Sequence, residues 1–131
     1  MIRINNFIRA EAIKVLLARW GLDDYVERAI EMIHHDPNWD VRGDAVFSLV
    51  EYLKYSDKKE NVNDKILKEL VYCLLNDNDE SVQRTCYEKF YEVVTGKYPP
   101  QINSVEFDRN RNVDWSLLQP YLEKFNLEKS K

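Results

Sequence analysis

The sequence predicts an all-α chain of tandem antiparallel helix pairs, and three observations carry that expectation. Only 3 glycines and 4 prolines occur in 131 residues, well below the roughly 12% of average usage. Charged residues reach 32% against a usual share of about 25%, the balance of a helical, soluble chain. The third observation is an internal repeat, in which the segments 8–20, 41–53 and 82–94 align without gaps. The length suits one domain with a single fold unit over residues 1–131.

The repeated segment is a helix with one apolar stripe. Its matched positions are Ile8, Val41 and Val82, then Ala12, Ala45 and Cys86, then Leu16, Leu49 and Phe90, then Trp20, Leu53 and Val94. Each set follows the last at i+4, which places all four on one helical face. A small residue within each stripe lets a neighbouring helix approach closely. The first copy has no partner helix ahead of it in the sequence, so it reads as a half repeat capped by Ile2, Ile4 and Phe7.

A second kind of helix precedes the other two copies. Val26, Ile30 and Ile33 lie 41 positions before Leu67, Val71 and Leu74. Asp23 or Asp24 and Asn63 or Asp64 are the expected N-caps of these helices. The polar turns 35–40 and 76–81 join each to its repeated partner, with Asp79 or Ser81 as cap of the helix that follows. The Lys-rich segment 55–63 reads as an exposed loop between repeats.

After the third copy, Thr95 and Gly96 provide a C-terminal stop, and Pro99 and Pro100 prevent the helix from resuming. Residues 97–113 then read as a loop. Residues 114–126 form a closing helix, with Trp115, Leu118, Leu122 and Phe125 on its apolar face. Pro120 within it sets either its start or a kink.

The run of Asp36, Asp40, Val41, Arg42, Ala45 and Leu49 resembles the HEAT repeat, of the armadillo type, and Ile8-Arg9 and Val82-Gln83 are weaker copies. The V-T-G helix end, the acidic loop and the V-D-W start near the C-terminus are similar to the ends of small stand-alone bacterial HEAT proteins. The resemblance implies a short right-handed α-solenoid over residues 8–96, closed by a capping helix. It also implies that the outward side of the repeated helices lines a concave binding face.

Opposite the apolar stripes lie Glu11, Lys14 and Ala18, then Asp44, Phe47 and Glu51, then Thr85, Glu88 and Glu92. The acids recur from copy to copy, with Phe47 as an aromatic anchor among them. Glu11, Asp44, Phe47, Glu51, Glu88 and Glu92 are therefore the candidate surface for a basic protein partner. Among the roles of small HEAT proteins, that of an immunity protein neutralising a toxin suits this charge; an assembly scaffold or adaptor is the alternative. A HEAT-type DNA glycosylase would need lysines and arginines where these acids stand. The net charge of −4 likewise gives no chain-wide basic footprint for nucleic acid. Arg9 and Arg42 are expected to pair with turn carboxylates such as Asp40.

Other constellations point away from chemistry. Asp77, Asp79, Ser81 and Glu88 match four positions of a calcium loop, but Val82 stands where the turn needs glycine. His34 and His35 are adjacent, so a regular helix points them about 100° apart, and their place near a helix end suits the dipole. Cys73 and Cys86 fall at core positions, and two cysteines fit a reducing compartment. No nucleophile, phosphate-loop or metal motif is present, so the expectation is no catalysis, no cofactor and no metal. No stretch approaches a membrane span, and charges at Arg3, Arg9, Glu11 and Lys14 interrupt any signal-like run. A cytoplasmic location without membrane association follows as the expectation.

Overall fold

The computed structural model describes residues 5–54, 60–100 and 107–129, and all regular structure among them is helical. The chain divides into two compact units, residues 1–63 and 64–131.

In the first unit, α1 (Asn6–Ile13) runs directly into a π-helical segment (Lys14–Arg19). Asn5 caps α1, its Oδ1 accepting the Ile8 N–H at 2.9 Å. Within the wider turns the Trp20 N–H reaches back to the Val15 carbonyl at 3.0 Å. Gly21, at φ 60, ends the helix in the left-handed region. There the Leu22 N–H closes onto the Leu16 carbonyl at 3.0 Å.

A 3-10 turn (Asp23–Tyr25) leads into α2 (Val26–His35), and α3 (Trp39–Lys54) follows. The Tyr52 hydroxyl, near the end of α3, donates to the Asp23 carboxylate ahead of α2, which brings the end of α3 beside the start of α2. Helix α3 is the centre of the unit and touches α1, the π segment and α2. Val41, Ala45, Val46, Ser48, Leu49 and Val50 are buried to 1% exposure or less. That near-complete burial explains why α3 is apolar over more than one stripe.

The stripes predicted for the second and third copies are largely buried: Val41, Ala45 and Leu49, and likewise Val82, Cys86 and Phe90. The first copy departs from this. Ala10, Ile13 and Leu17 are its buried residues, while Ile8 is 52% and Trp20 65% exposed, and Phe7 at 72% caps nothing among the described residues. The reason is that α1 and the π segment are packed against α3 through one face only. Residues Ile2 and Ile4, the other proposed caps, lie outside the described residues.

Two further expectations are corrected. Neither Asp23 nor Asp24 caps α2 with its side chain, since the 3-10 turn carries them away from that position and Tyr25 precedes the helix. Helix α4 (Glu60–Asn76), most of which belongs to the second unit, begins before Asn63 and Asp64, so both lie inside the helix rather than at its cap. The predicted loop 55–63 is correspondingly shorter, with 60–63 helical and 55–59 outside the described residues. Asp64 instead pairs with Lys124 at 3.0 Å.

Helix α5 (Glu80–Thr95) is capped by Asp79, whose Oδ1 accepts from Ser81 and Val82 at 2.9 and 3.1 Å. It ends on Gly96 at φ 73, as the sequence predicts. The expected loop 97–113 contains a helical turn, α6 (Arg109–Asn112), capped by Asp108, while 101–106 lie outside the described residues. Phe107 and Val113 flank α6 and are buried, which fixes this segment against the unit. Arg109 extends to the Leu75 carbonyl in the last turn of α4, where a cation also complements the helix dipole.

Helix α7 (Trp115–Phe125) starts on the Asp114 cap and passes through Pro120. Leu118 and Leu122 are buried as expected, with Trp115 and Phe125 at the margins. Tyr121 meets the Phe90 ring edge-on, with centroids 5.1 Å apart, and so joins α7 to α5.

Candidate functional site

The candidate residues fall in both units and are described within each. In the first, Glu11 holds Lys14 at 3.2 Å and Glu51 holds Lys54 at 3.5 Å, each pair within one helix. Asp44, half-buried on α3, has the charges of Lys14, Asp40 and Glu11 around it. Burial pushes its carboxyl up, Lys14 pulls the other way, and Asp40 and Glu11 add to the rise. The Ser48 hydroxyl, buried beneath, donates to the Asp44 carbonyl at 2.8 Å. Phe47, predicted as an exposed anchor, is only partly exposed.

In the second unit Glu88 pairs with Arg84 at 2.9 Å and Glu92 with Lys89 at 3.0 Å. The Glu92 side chain is only 9% exposed. Four of the five predicted acids thus carry a basic neighbour three or four residues away on their own helix. Lys14, Lys54, Arg84 and Lys89 were legible from that spacing, and they soften the negative field that the acids alone would produce.

The arginines act in the turns: Arg9 pairs with a turn carboxylate, as expected, and Arg42 donates to the Asp36 backbone carbonyl. Arg9 grips Asp36, not Asp40, through Nε at 2.8 Å and Nη2 at 3.0 Å, and the same Nη2 reaches Asn6 Oδ1 at 2.7 Å. Asp36 stands at the end of α2, beside the start of α1, whereas Asp40 has already entered α3. Burial pushes the Asp36 carboxyl up. The Arg9 hydrogen bond, the Asn38 N–H and the charges of Arg9 and Arg42 outweigh it and hold the carboxyl below its ordinary value.

The calcium-like acids are engaged in the fold. Asp77 Oδ1 accepts the Asp79 N–H at 2.9 Å, Asp79 caps α5, and Glu88 is held by Arg84. His34 and His35 are exposed at the end of α2, with ring centroids 6.0 Å apart. Cys73 and Cys86 are buried free thiols, as their core register predicts. Burial and the neighbouring Cys73 push the Cys86 thiol well above its ordinary range, which makes it a poor nucleophile. Among the described residues, no group of three or more His, Cys, Asp or Glu is placed to hold a metal ion.

No family model, curated protein or solved structure matches this chain. Its surface must therefore be read from its own chemistry. Among the described residues no helix is long and apolar enough to cross a membrane.

One feature escaped the sequence pattern. Phe7, Ile8, Glu11, Ala12, Val15, Leu16 and Trp20 line an open groove of about 430 Å³ along the first helix. The i+4 spacing of Ile8, Ala12, Leu16 and Trp20 marks these residues as a stripe, but it could not tell a covered stripe from an open one.

Proposed function

We propose that the chain is a non-catalytic protein-binding module, built as a short right-handed solenoid of HEAT-like helix pairs. Its recognition residues are Glu11, Asp44, Phe47 and Glu51 in the first unit, with Glu88 and Glu92 as the corresponding acids of the repeat in the second. The partner is a basic protein, and neutralisation of a basic toxin by an immunity protein is the role that suits this surface. A cytoplasmic location goes with that reading.

The observation that supports it is the crowding of negative charge at Asp44. Burial is the main cause that raises its carboxyl, Lys14 opposes the rise, and Asp40 and Glu11 add to it by repulsion. A cationic side chain arriving there would relieve that repulsion, and Phe47, three residues along α3 and partly exposed, would supply apolar contact beside it. A generic scaffold is the second reading, favoured by the internal pairing of Glu11, Glu51, Glu88 and Glu92. Internally paired acids give less steering than free ones.

The test is capture of partners from the native cell on the immobilised chain. Binding is then measured across a salt series with the triple variant Asp44→Lys, Glu51→Lys, Glu88→Lys. The acidic-face reading expects a basic partner, steep salt dependence and loss of binding in the variant with helical content retained. Equal affinity for parent and variant would leave the acids as an ordinary solvated surface.

A further inference from the structure

The open groove on the first helix has a counterpart elsewhere in the first unit. Ile8, Ala12, Val15 and Leu16 stand 33 positions before Val41, Ala45, Ser48 and Leu49. On α3 that face is 1% exposed or less, and α3 packs against α1, the π segment and α2. On the first helix the same face is more open: Ile8 is 52% exposed, Ala12 is exposed, Val15 and Leu16 are partly exposed, and Phe7 at 72% and Trp20 at 65% flank them. The sequence therefore repeats a helix-accepting face whose first copy is not covered by any described element.

We infer that this groove is a self-association surface, on which the first helix of a second copy of this chain docks antiparallel. The stripe is self-complementary under such a pairing. With the two-fold axis level with residue 14, Ile8 of one copy meets Trp20 of the other, and Ala12 meets Leu16. Small faces large at the inner positions, as close helix packing requires. On a helical wheel Lys14 lies nearly opposite the line of Ile8, Ala12, Leu16 and Trp20, on the side of Phe7 and Glu11, and its charge acts on Asp44 of its own chain, so the axis does not set two ammonium groups against each other. Glu11, the one charged residue in the groove lining, is held by Lys14 of its own chain at 3.2 Å and needs no partner across the interface. Opposed helix dipoles are also favourable in this orientation.

The area on offer sets the strength. Aromatic side chains carry about 150–250 Å² each, so Phe7 and Trp20 together leave on the order of 250 Å² in the open at the exposures above. With Ile8, Ala12, Val15 and Leu16 the patch reaches roughly 400–500 Å² per copy, the size of the largest apolar patch on a typical monomer, which is often functional. The pair would bury roughly 800–1,000 Å², at the low end for specific association. The dimer is therefore weak and depends on concentration. The inference is independent of the acidic-face reading, with which it shares only Glu11.

Sedimentation velocity of the full chain over a wide concentration range tests it. The parent should pass from monomer to dimer as concentration rises. Trp20→Ser should weaken the dimer at least tenfold. Ala12→Lys should abolish it, because each copy would drive an ammonium group against Leu16 of the other. Both sites are exposed, so circular dichroism should show parental helix content and melting. A parent that stays monomeric throughout overturns the inference and leaves the groove to another occupant, such as a helix of a different protein. So does a dimer that survives both substitutions.

Discussion

Asp36 and Asp77, 41 residues apart, make the same bonds. Each carboxylate accepts the N–H two residues on, Asn38 at 3.0 Å and Asp79 at 2.9 Å. Each backbone carbonyl accepts from the side chain six residues on, Arg42 at 3.0 Å and Gln83 at 2.6 Å. The caps repeat as well, since Asn38 receives the Asp40 and Val41 N–H groups as Asp79 receives those of Ser81 and Val82. A polar side chain is kept after the β-branched residue because it must reach back over the turn.

Asp36→Ala should be the more costly of the two turn substitutions. It frees the Asn38 N–H, as Asp77→Ala frees that of Asp79, but it also strips Arg9 of its two-point partner. A loss of about 1–3 kcal/mol is expected from orphaned donors of this kind. Urea denaturation of both variants checks the order; a larger loss for Asp77→Ala would reverse it.

Acid should act through the same residue. The native Asp36 carboxyl is held below its ordinary value, so its ionised form favours the folded chain. That contribution is complete above the unfolded value of about 3.9 and is lost as pH falls through the lower native one. Melting temperature followed from pH 6 to pH 2 should fall more steeply for the parent than for Asp36→Asn.

Leu16 and Leu17 are neighbours with opposite expectations. Leu17 is 0% exposed and faces the interior, so Leu17→Ala should cost about 2–5 kcal/mol. Leu16→Ala, on the groove and only partly exposed, should cost clearly less than Leu17→Ala at concentrations where the chain is a monomer. Similar losses at both positions would mean that the groove is covered in solution.

Asp44→Asn should leave stability unchanged or raise it at neutral pH. The folded carboxyl lies above its ordinary value, so the ionised form is disfavoured in the native chain and the gain disappears as pH falls and the parent takes up its proton. Melting curves of parent and variant at pH 7 and pH 4 check this sign.

Most of the helix order was legible because i+4 stripes and turn residues speak directly to local structure. Ala45, Leu49, Cys86, Phe90, Leu118 and Leu122 are buried where periodicity places them, and Asp79 and Gly96 end elements as their chemistry demands. The face of the first helix was not legible, because the pattern at Ile8, Ala12, Leu16 and Trp20 records equivalence to the other copies and not what lies against it. The acids stand out in the sequence, but Lys14, Lys54, Arg84 and Lys89, each beside one of four of them, reduce their field. Short-range ion pairs cancel much of what a charge count suggests.

The wide turns of Lys14–Arg19 bear on the path of the apolar line along the first helix. In a regular α-helix, residues taken every fourth position precess around the axis by about 40° a step, since each residue turns about 100°. Winding that uses more residues per turn rotates less at each one and brings the line back toward its starting meridian. Ile8 and Ala12 sit on the regular part, and Leu16 and Trp20 within or just after the wide part. The four side chains therefore run nearly parallel to the axis, as a straight rail instead of a spiral.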